Sequence, residues 1–325
     1  MTADRLTALK HKYKGVPLSP ITFAVSPGRA GTLYLARWLS DHCPEQADIA
    51  HEGVTHRVAR PGLYFRAFDI DAQNEALAFD PFHEWIRGVL DVACTRPVVE
   101  TGHYAISAIP LLHGVAPQSI RLLLLHRHPV KSAGSHAIKG HYSINVNPEW
   151  AIYPTHPRAV YPEYQSRWQA MSSYEKELYR WLETTAYGLE LINRLPDLPN
   201  MTVASDELFR SIETRRRIAN FAGLSITVDS DTVAERNATT DRNREVFGIR
   251  DEWRRTREHE EVCSLAESLG YDLSSEAIGE AIRPYLVPDG IGPTLRRLTG
   301  YWRLRWMLGS LRKSLGLART PKAAT

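Results

Sequence analysis

The segment from Ile21 to His42 constrains the fold more than any other part of the sequence. It opens with ITFAV, a β-branched and aromatic run that predicts a buried strand. The turn Ser26-Pro27-Gly28 follows, and TLYLARWLSDH then places apolar residues at helical spacing. A strand that passes through a glycine turn straight into a helix presents unpaired backbone N–H groups at the helix N-terminus. The helix dipole favours an anion there, so the sequence predicts an anion-binding loop.

The residues of this loop suit an anion but differ from the common nucleotide loop. Gly28 and Gly31 allow a tight turn and a close approach of the backbone, and Arg29 adds a fixed positive charge. Thr32 adds a hydroxyl donor. The GxxxxGK[ST] pattern is absent, so this is not a Walker A loop.

Strands and helices alternate along the chain. Strands are predicted at residues 21–25, 98–101, 121–126 and 201–204. Helices are predicted at 32–42, from about 131, at 174–195 and around 215–221. This order predicts an α/β fold with a parallel sheet flanked by helices, whose ligands bind at the carboxyl ends of the strands.

A second cationic loop follows the apolar strand RLLLLH, which ends in His126 and Arg127. An NTPase commonly has a carboxylate at such a strand end to hold magnesium. Here both loops carry arginine and neither carries a carboxylate, which favours a nucleotide bound without magnesium.

These two loops resemble the signatures of the sulfotransferases that use 3′-phosphoadenosine 5′-phosphosulfate (PAPS). PGRAGTLY at residues 27–34 is similar to their [PG]-[RK]-S-G-T-T-[WLY] motif. RHP at residues 127–129 is similar to their R-[DN]-P motif, and Ser135 lies eight residues after Arg127, where that motif has its serine. Ala30, Leu33 and His128 depart from the pattern, with loss of one or two hydroxyl contacts. The resemblance extends over about residues 20 to 273. Its further matches are Trp181, Glu183 and the segments MTVASDELF, RIANFAGLSI and EEVCSLAESLGYDL.

The resemblance implies a P-loop-like sulfotransferase fold, PAPS as co-substrate and a set of donor-binding residues. That set is Gly28, Arg29, Ala30, Gly31, Thr32, Leu33, Tyr34, Arg127 and Ser135. Arg29 would serve the 5′-phosphosulfate, and Arg127 with Ser135 the 3′-phosphate. Tyr34 would lie against the adenine, although a core aromatic on an amphipathic helix is an equal alternative.

Two residues compete for the role of general base, and Arg29 completes the expected catalytic set. Glu52 lies 23 residues after Arg29, close to where related sulfotransferases carry a catalytic glutamate. His103 follows the second strand, where the arylsulfotransferases carry a catalytic histidine. Glu52 is the favoured base, with His103 and Glu100 orienting or binding the acceptor. A solvated loop acid and a strand-end histidine bonded to backbone remain open alternatives.

The remaining expectations concern metals, acceptors and compartment. Five histidines (His51, His56, His126, His136 and His141) show no recognisable metal-ligand spacing, so no metal is expected. The acceptor would be a sugar, a glycolipid or a secondary metabolite, with the aromatic segment 142–164 as its lid. Three dispersed cysteines and the lack of a signal peptide predict a cytoplasmic protein.

The chain is expected to have three parts: an N-terminal extension (1–19), a sulfotransferase domain (20–273) and a basic C-terminal extension (274–325). Residues 283–325 hold nine basic residues and one acid, a net of +8 that leaves −5 for the rest of a chain whose total is +3. This asymmetry excludes a protein that binds nucleic acid throughout. The tail resembles a basic amphipathic helix that could contact an anionic membrane, with packing on the body as the alternative.

Two other functions stay open on the sequence. One is a phosphotransferase of the P-loop class, which the missing GK[ST] disfavours. The other is a nucleotide-binding interaction protein without catalysis, for which Ala30 and Leu33 are the support.

Overall fold

Five parallel strands form the centre of the protein. The computed structural model describes residues 5–53, 68–143, 151–156, 158–226, 244–245 and 247–288, without the side chains of His103 and Tyr104. The strands are β1 (Ile21–Val25), β2 (Asp48–Ala50), β3 (Val98–Glu100), β4 (Ile120–His126) and β5 (Asn200–Ala204). They lie in the order β2-β3-β1-β4-β5. The α/β fold expected from the sequence is therefore confirmed.

Strand order places a crevice between β1 and β4. The chain leaves β1 towards β2 and β3 on one side, and returns to add β4 on the other. Ile21 lies opposite Ile120 and Val25 opposite Leu124, so the two strands end side by side. Loops that leave neighbouring strands in opposite directions open the crevice in which ligands of such sheets bind.

Eleven helices surround the sheet in the described residues. They are α1 (Arg5–Tyr13), α2 (Thr32–His42), α3 (Ile70–Ala78), α4 (Asp80–Ala93), α5 (Ile109–Val115), α6 (Pro129–Ala137), α7 (Ser173–Arg194), α8 (Ser205–Arg210), α9 (Ile212–Phe221), α10 (Glu260–Ser268) and α11 (Ser275–Ile282). Short 3₁₀ turns lie at His103–Ala108, Pro162–Ser166, Glu252–Glu258 and Arg283–Tyr285. Ser172 and Glu175 form a capping box at the start of α7.

Apolar layers cover both faces of the sheet. Phe23 and Leu122 point into one layer, which includes Trp181. Ala24 and Leu123, their neighbours along the strands, point into the other layer. This alternation is the two-residue period of a strand, and burial of both faces explains why RLLLLH is continuously apolar.

The predicted strands and helices are confirmed with small changes at their ends, but seven elements were not predicted. These are the strand β2 and the helices α1, α3, α4, α5, α8 and α11. Leu6 and Leu9 of α1 are buried in the interior, and so are Ile282 and Tyr285 near the other end. The interior thus includes residues on both sides of the expected 20–273 domain.

The basic tail beyond residue 288 lies outside the described residues, so its amphipathic helix stays a prediction. Within the part of the chain that the structure describes, no helix is both long and apolar enough to cross a membrane.

Candidate active site

The loop after β1 has an unusual backbone. Gly28, Arg29 and Gly31 all have positive φ angles, of 87°, 59° and 96°. A positive φ costs energy in a non-glycine residue, and such strain often occurs at functional sites. Helix α2 begins directly after Gly31, without a side-chain cap and without an acid in its first turn. The first N–H groups of α2 are therefore not capped by a side chain, the arrangement that favours an anion at a helix N-terminus.

Two close approaches explain the glycines of this loop. A Cβ atom on Gly28 would lie 2.6 Å from Nε2 of His136, and one on Gly31 would lie 2.8 Å from Cζ of Phe209. Ala30 is fully buried, and its carbonyl accepts a hydrogen bond of 2.5 Å from the Ser205 hydroxyl. The loop is thus held between α6 and α8.

The second cationic loop contacts the first directly. Arg127 donates from Nη1 to the carbonyl of Arg29 at 2.9 Å. Arg29 in turn donates from Nε to Oγ of Ser135, also at 2.9 Å. The indole of Trp181 donates to the carbonyl of Arg127 at 2.8 Å. The structure therefore brings Arg29, Arg127 and Ser135 together, and pairs Ser135 with Arg29 rather than with Arg127.

The guanidinium groups of Arg29 and Arg127 have no carboxylate partner in the part of the chain that the structure describes. Burial, with the charge of Arg127 as the next cause, lowers the pKa of Arg29. Nε of Arg127 is buried and has no hydrogen-bond partner. Adjacent half-buried cations without an acid are costly, and a bound anion would relieve that cost.

His128, which departs from the family pattern, caps helix α6. Its Nδ1 accepts a hydrogen bond from the backbone N–H of Val130 at 3.2 Å, and its Nε2 donates to the carbonyl of Asp272 at 3.3 Å. Burial lowers the pKa of this imidazole to about 4, so it is neutral at physiological pH. A neutral ring can accept a helix-cap bond, as aspartate and asparagine commonly do at helix N-termini.

Residues near the C-terminal end of the described chain complete the second loop. The Tyr271 hydroxyl lies 2.7 Å from Nδ1 of His126. Arg127 donates from Nη2 to the Tyr285 hydroxyl at 3.4 Å. Sequence reasoning missed Tyr285 because it ended the domain at residue 273, and no local motif marks it.

The two candidate bases come from loops that touch. Glu52 is exposed and has a φ of 55°. A Cβ on Gly102 would lie 2.8 Å from the Cα of Glu52, and the N–H of Gly102 donates to the buried Glu100 carboxylate at 2.7 Å. The Glu100 carboxylate therefore binds the backbone of this loop. His103 begins the 3₁₀ turn, and its side chain lies outside the described residues.

Lys139 is a site residue that the sequence analysis missed. Its pKa is lowered to about 8, chiefly by burial and next by the charge of Arg29, while the charge of Glu52 acts in the opposite direction. The ammonium group therefore lies within electrostatic reach of the donor loop and of the candidate base. Lys139 follows α6 without a motif of its own, so no sequence signal identified it.

Tyr34, for which the sequence left a place beside the adenine and a place in the core equally open, is largely buried. Tyr34 is 7% exposed and packs edge-on against Phe209, with ring centroids 5.0 Å apart. This position matches the alternative of a core aromatic. Leu33 and Thr32 are half-buried at the start of α2.

Glu183 anchors the segment that we expected to act as an acceptor lid. Its carboxylate accepts the N–H groups of Val160 at 2.5 Å and Tyr161 at 3.0 Å. Nearby, Tyr142, Tyr153 and Trp168 form a ring cluster with centroids 5.5 to 6.1 Å apart. The described parts of the aromatic segment therefore pack against α7, and residues 144–150 and 157 lie outside the description.

The fold and the site together define a parallel α/β protein with two contacting arginine-bearing loops at its topological switch point. Three solved structures resemble the chain. A sulfotransferase from Alicyclobacillus acidocaldarius is 16% identical, with 80% of this chain and 99% of that chain covered and a TM-score of 0.45. The sulfotransferase domain of the curacin biosynthetic pathway is 17% identical, with 83% and 99% covered and a TM-score of 0.38. The sulfotransferase domain of the Synechococcus PCC 7002 olefin synthase is 15% identical, with 79% and 96% covered and a TM-score of 0.41.

No family model matches the sequence, and no curated protein matches it at a significant level.

Proposed function

We propose that this protein is a sulfotransferase that moves the sulfuryl group of PAPS to a hydroxyl acceptor. The observation that carries the proposal is the contact between Arg29 and Arg127, which occupy one crevice without an acidic partner among the described residues. PAPS suits this crevice because it carries a 5′-phosphosulfate and a separate 3′-phosphate. The two sequence motifs that resemble those of the PAPS-dependent sulfotransferases lie on these two loops.

Each arginine has its own part of the donor in this proposal. Arg29 and the first N–H groups of α2 bind the 5′-phosphosulfate, through charge-assisted hydrogen bonds and the helix dipole. Arg127 binds the 3′-phosphate, where its unpartnered Nε supplies a free donor. Ser135 keeps the Arg29 side chain in place through the 2.9 Å hydrogen bond, besides any contact of its own with the donor.

The reaction is an in-line displacement at sulfur. The acceptor oxygen forms a bond to sulfur, while the bond between sulfur and the 5′-phosphate oxygen breaks. The proton of the acceptor hydroxyl passes to Glu52, and adenosine 3′,5′-bisphosphate leaves. Arg29 and the α2 N–H groups stabilise the charge that develops on the leaving phosphate, and Lys139 adds a second cation there. The acceptor class is a sugar, a glycolipid or a secondary metabolite.

Binding of two nucleotides tests the donor site. We expect adenosine 3′,5′-bisphosphate to bind more tightly than 5′-AMP, which lacks the 3′-phosphate. Arg127→Ala should lower the affinity for the bisphosphate roughly ten- to a hundredfold, the contribution of one hydrogen bond to a charged group. The affinity for 5′-AMP should be nearly unchanged. Arg217→Ala, at an exposed position of α9, is the control. Equal losses of affinity for both nucleotides would show that Arg127 does not bind the 3′-phosphate. If the parent protein did not bind the bisphosphate, the proposal would be overturned.

Steady-state kinetics separate the two arginines. Arg127→Ala should mainly raise the KM for PAPS, because a 3′-phosphate contact is equal in the ground and transition states. Arg29→Ala should also lower kcat, because the leaving charge develops beside it. A pure KM effect in both variants would show that Arg29 does not contact the transferring group.

Single-turnover pH profiles decide between the candidate bases. Glu52→Gln should lower the rate at least about a hundredfold while PAPS still binds, and His103→Ala should cost less. A carboxylate base gives a rate that is flat above mildly acidic pH, whereas a histidine base gains activity up to about neutrality. If Glu52→Gln kept most activity while His103→Ala abolished it together with the near-neutral titration, His103 would be the base.

The same reagents distinguish the alternative functions. Tight ATP binding without PAPS binding would indicate a phosphotransferase. PAPS binding without transfer to any acceptor, unaffected by either base variant, would indicate an interaction protein. Mass spectrometry of cell extracts incubated with isotopically labelled PAPS would identify the acceptor by its gain of one sulfuryl group.

A further inference from the structure

A cluster of metal-binding side chains lies behind the donor loop, between α6 and α7. Nδ1 of His136 and Nδ1 of His141 are 3.2 Å apart. Nδ1 of His141 is 3.4 Å from Oε1 of Glu177. One ligand atom of each residue lies within 4.8 Å of the others. We propose that these three residues bind a divalent transition-metal ion, for which zinc is the best match, whether or not the protein is a sulfotransferase.

The separations match the geometry of a tetrahedral ion. Nitrogen and oxygen ligands lie about 2.0–2.2 Å from zinc, so two ligands of a tetrahedron are about 3.3–3.6 Å apart. Two sides of the cluster, at 3.2 and 3.4 Å, are close to that range. The third side, at no more than 4.8 Å, needs a small side-chain rotation to close. Two imidazoles and one carboxylate are a common protein donor set for zinc, with a water molecule in the fourth position.

The carboxylate of the cluster is buried without adequate compensation. The Glu177 side chain is fully buried, and neither oxygen has a hydrogen-bond partner. Nitrogen atoms of His141 and Arg180 lie 3.4 Å and 4.0 Å from its oxygens, both beyond ordinary hydrogen-bond lengths. A buried carboxylate normally has a hydrogen-bonded partner or a metal ion. An ion between Glu177 and the two imidazoles would supply that missing contact.

A turn in the chain brings the two histidines together. His136 lies in the last turn of α6, and Gly140 reverses the chain with a φ of 79° before His141. This spacing of five residues differs from the four that place two histidines on one helix face. The expectation of no metal relied on such spacings and stays untested, but the geometry of the cluster points the other way.

The ion would brace the donor loop as well as the two helices. The His136 ring lies directly against Gly28 on its other side. Metal ligation at Nδ1 would keep the proton on Nε2 and fix the orientation of the ring. Arg180, at 4.0 Å from Glu177, adds positive charge that weakens the affinity for a cation, so we expect moderate rather than extreme affinity.

Metal titration of the untagged full-length protein tests the proposal. The protein is treated with a chelator, dialysed and titrated with zinc chloride in a calorimeter, and its bound zinc is measured by plasma mass spectrometry. We expect one zinc ion per chain and a melting temperature that rises with free zinc. His141→Ala and Glu177→Gln should each weaken zinc binding at least tenfold and abolish most of the rise. His83→Ala, at a partly exposed position of α4, should leave both unchanged.

Two results would overturn the proposed metal site. One is less than half an equivalent of bound zinc in the parent protein, and the other is an equal zinc affinity for His141→Ala and His83→Ala. Glu177→Gln keeps the shape of the buried side chain. If it nevertheless fails to fold, His141→Ala, whose side chain is 18% exposed, decides the question. Every readout is independent of sulfuryl transfer, so failure of this site and failure of the proposed function are distinguishable.

Discussion

Replacing His128 with asparagine should remove an acid-sensitive contribution to stability while keeping the cap of α6. The imidazole accepts the Val130 N–H through Nδ1 and donates to the Asp272 carbonyl through Nε2, and a proton on Nδ1 would break the first bond. Its pKa in the folded protein is about 4, against an ordinary value of 6.5. Asparagine is a strong N-cap residue and does not titrate.

The direction of the effect follows from these two values. Between pH 6.5 and about 4 the unfolded chain binds a proton that the folded chain does not. The contribution of His128 is therefore fully present above about pH 6.5 and declines as the pH falls towards 4. A difference of one pKa unit corresponds to about 1.4 kcal/mol, so the limit is about 3 kcal/mol. At pH 5 linkage gives a loss of about 2 kcal/mol.

Urea unfolding, followed by tryptophan fluorescence at pH 7.5 and pH 5, measures this difference. At pH 7.5 the free energy of unfolding of His128→Asn should be nearly that of the parent. Between pH 7.5 and pH 5 the free energy of unfolding should fall by about 2 kcal/mol less in the variant than in the parent. His128→Ala should also lose the pH dependence, but at a cost of about 1 kcal/mol at pH 7.5 from the missing cap. His11→Asn, at an exposed position of α1, is the control. Parallel losses in the parent and His128→Asn would refute the capping role.

Three further predictions concern the site and its supports. Gly28→Ala should destabilise the protein by about 2 kcal/mol in urea unfolding and weaken nucleotide binding, because its Cβ would lie 2.6 Å from His136 at a positive φ; an unchanged variant would contradict the loop geometry. Because the pKa of Lys139 is about 8, kcat of the parent should fall above that pH, whereas kcat of Lys139→Arg should stay flat. The same fall in both proteins would show that Lys139 is not the group that titrates. Glu183→Gln should speed hydrogen exchange at the amide of Tyr161, at least about tenfold, since one hydrogen bond to a charged group is lost; unchanged exchange would contradict the anchoring role.

Local sequence patterns predicted the central sheet and the two cationic loops. The strand at 21–25 and the helix at 32–42 have the predicted ends, because glycine, proline and the apolar period act over a few residues. Placing Arg29 and Arg127 at the same edge needed only the rule that parallel strands end together. The short strand β2 and the helix α1 lack such patterns, since three residues show no clear period and the apolar face of α1 is brief.

Long-range packing accounts for what the patterns could not predict. Ser135 pairs with Arg29, and Lys139 lies within reach of both Arg29 and Glu52. These relations depend on how α6 packs beneath the donor loop, and residue spacing along the chain does not encode that angle. The cluster of His136, His141 and Glu177 likewise needs α7 beside a glycine turn. Local periodicity therefore determined the strands, helices and charged loops, whereas the docking of helices distant in sequence determined which side chains meet, because side-chain contacts change with small shifts in helix orientation.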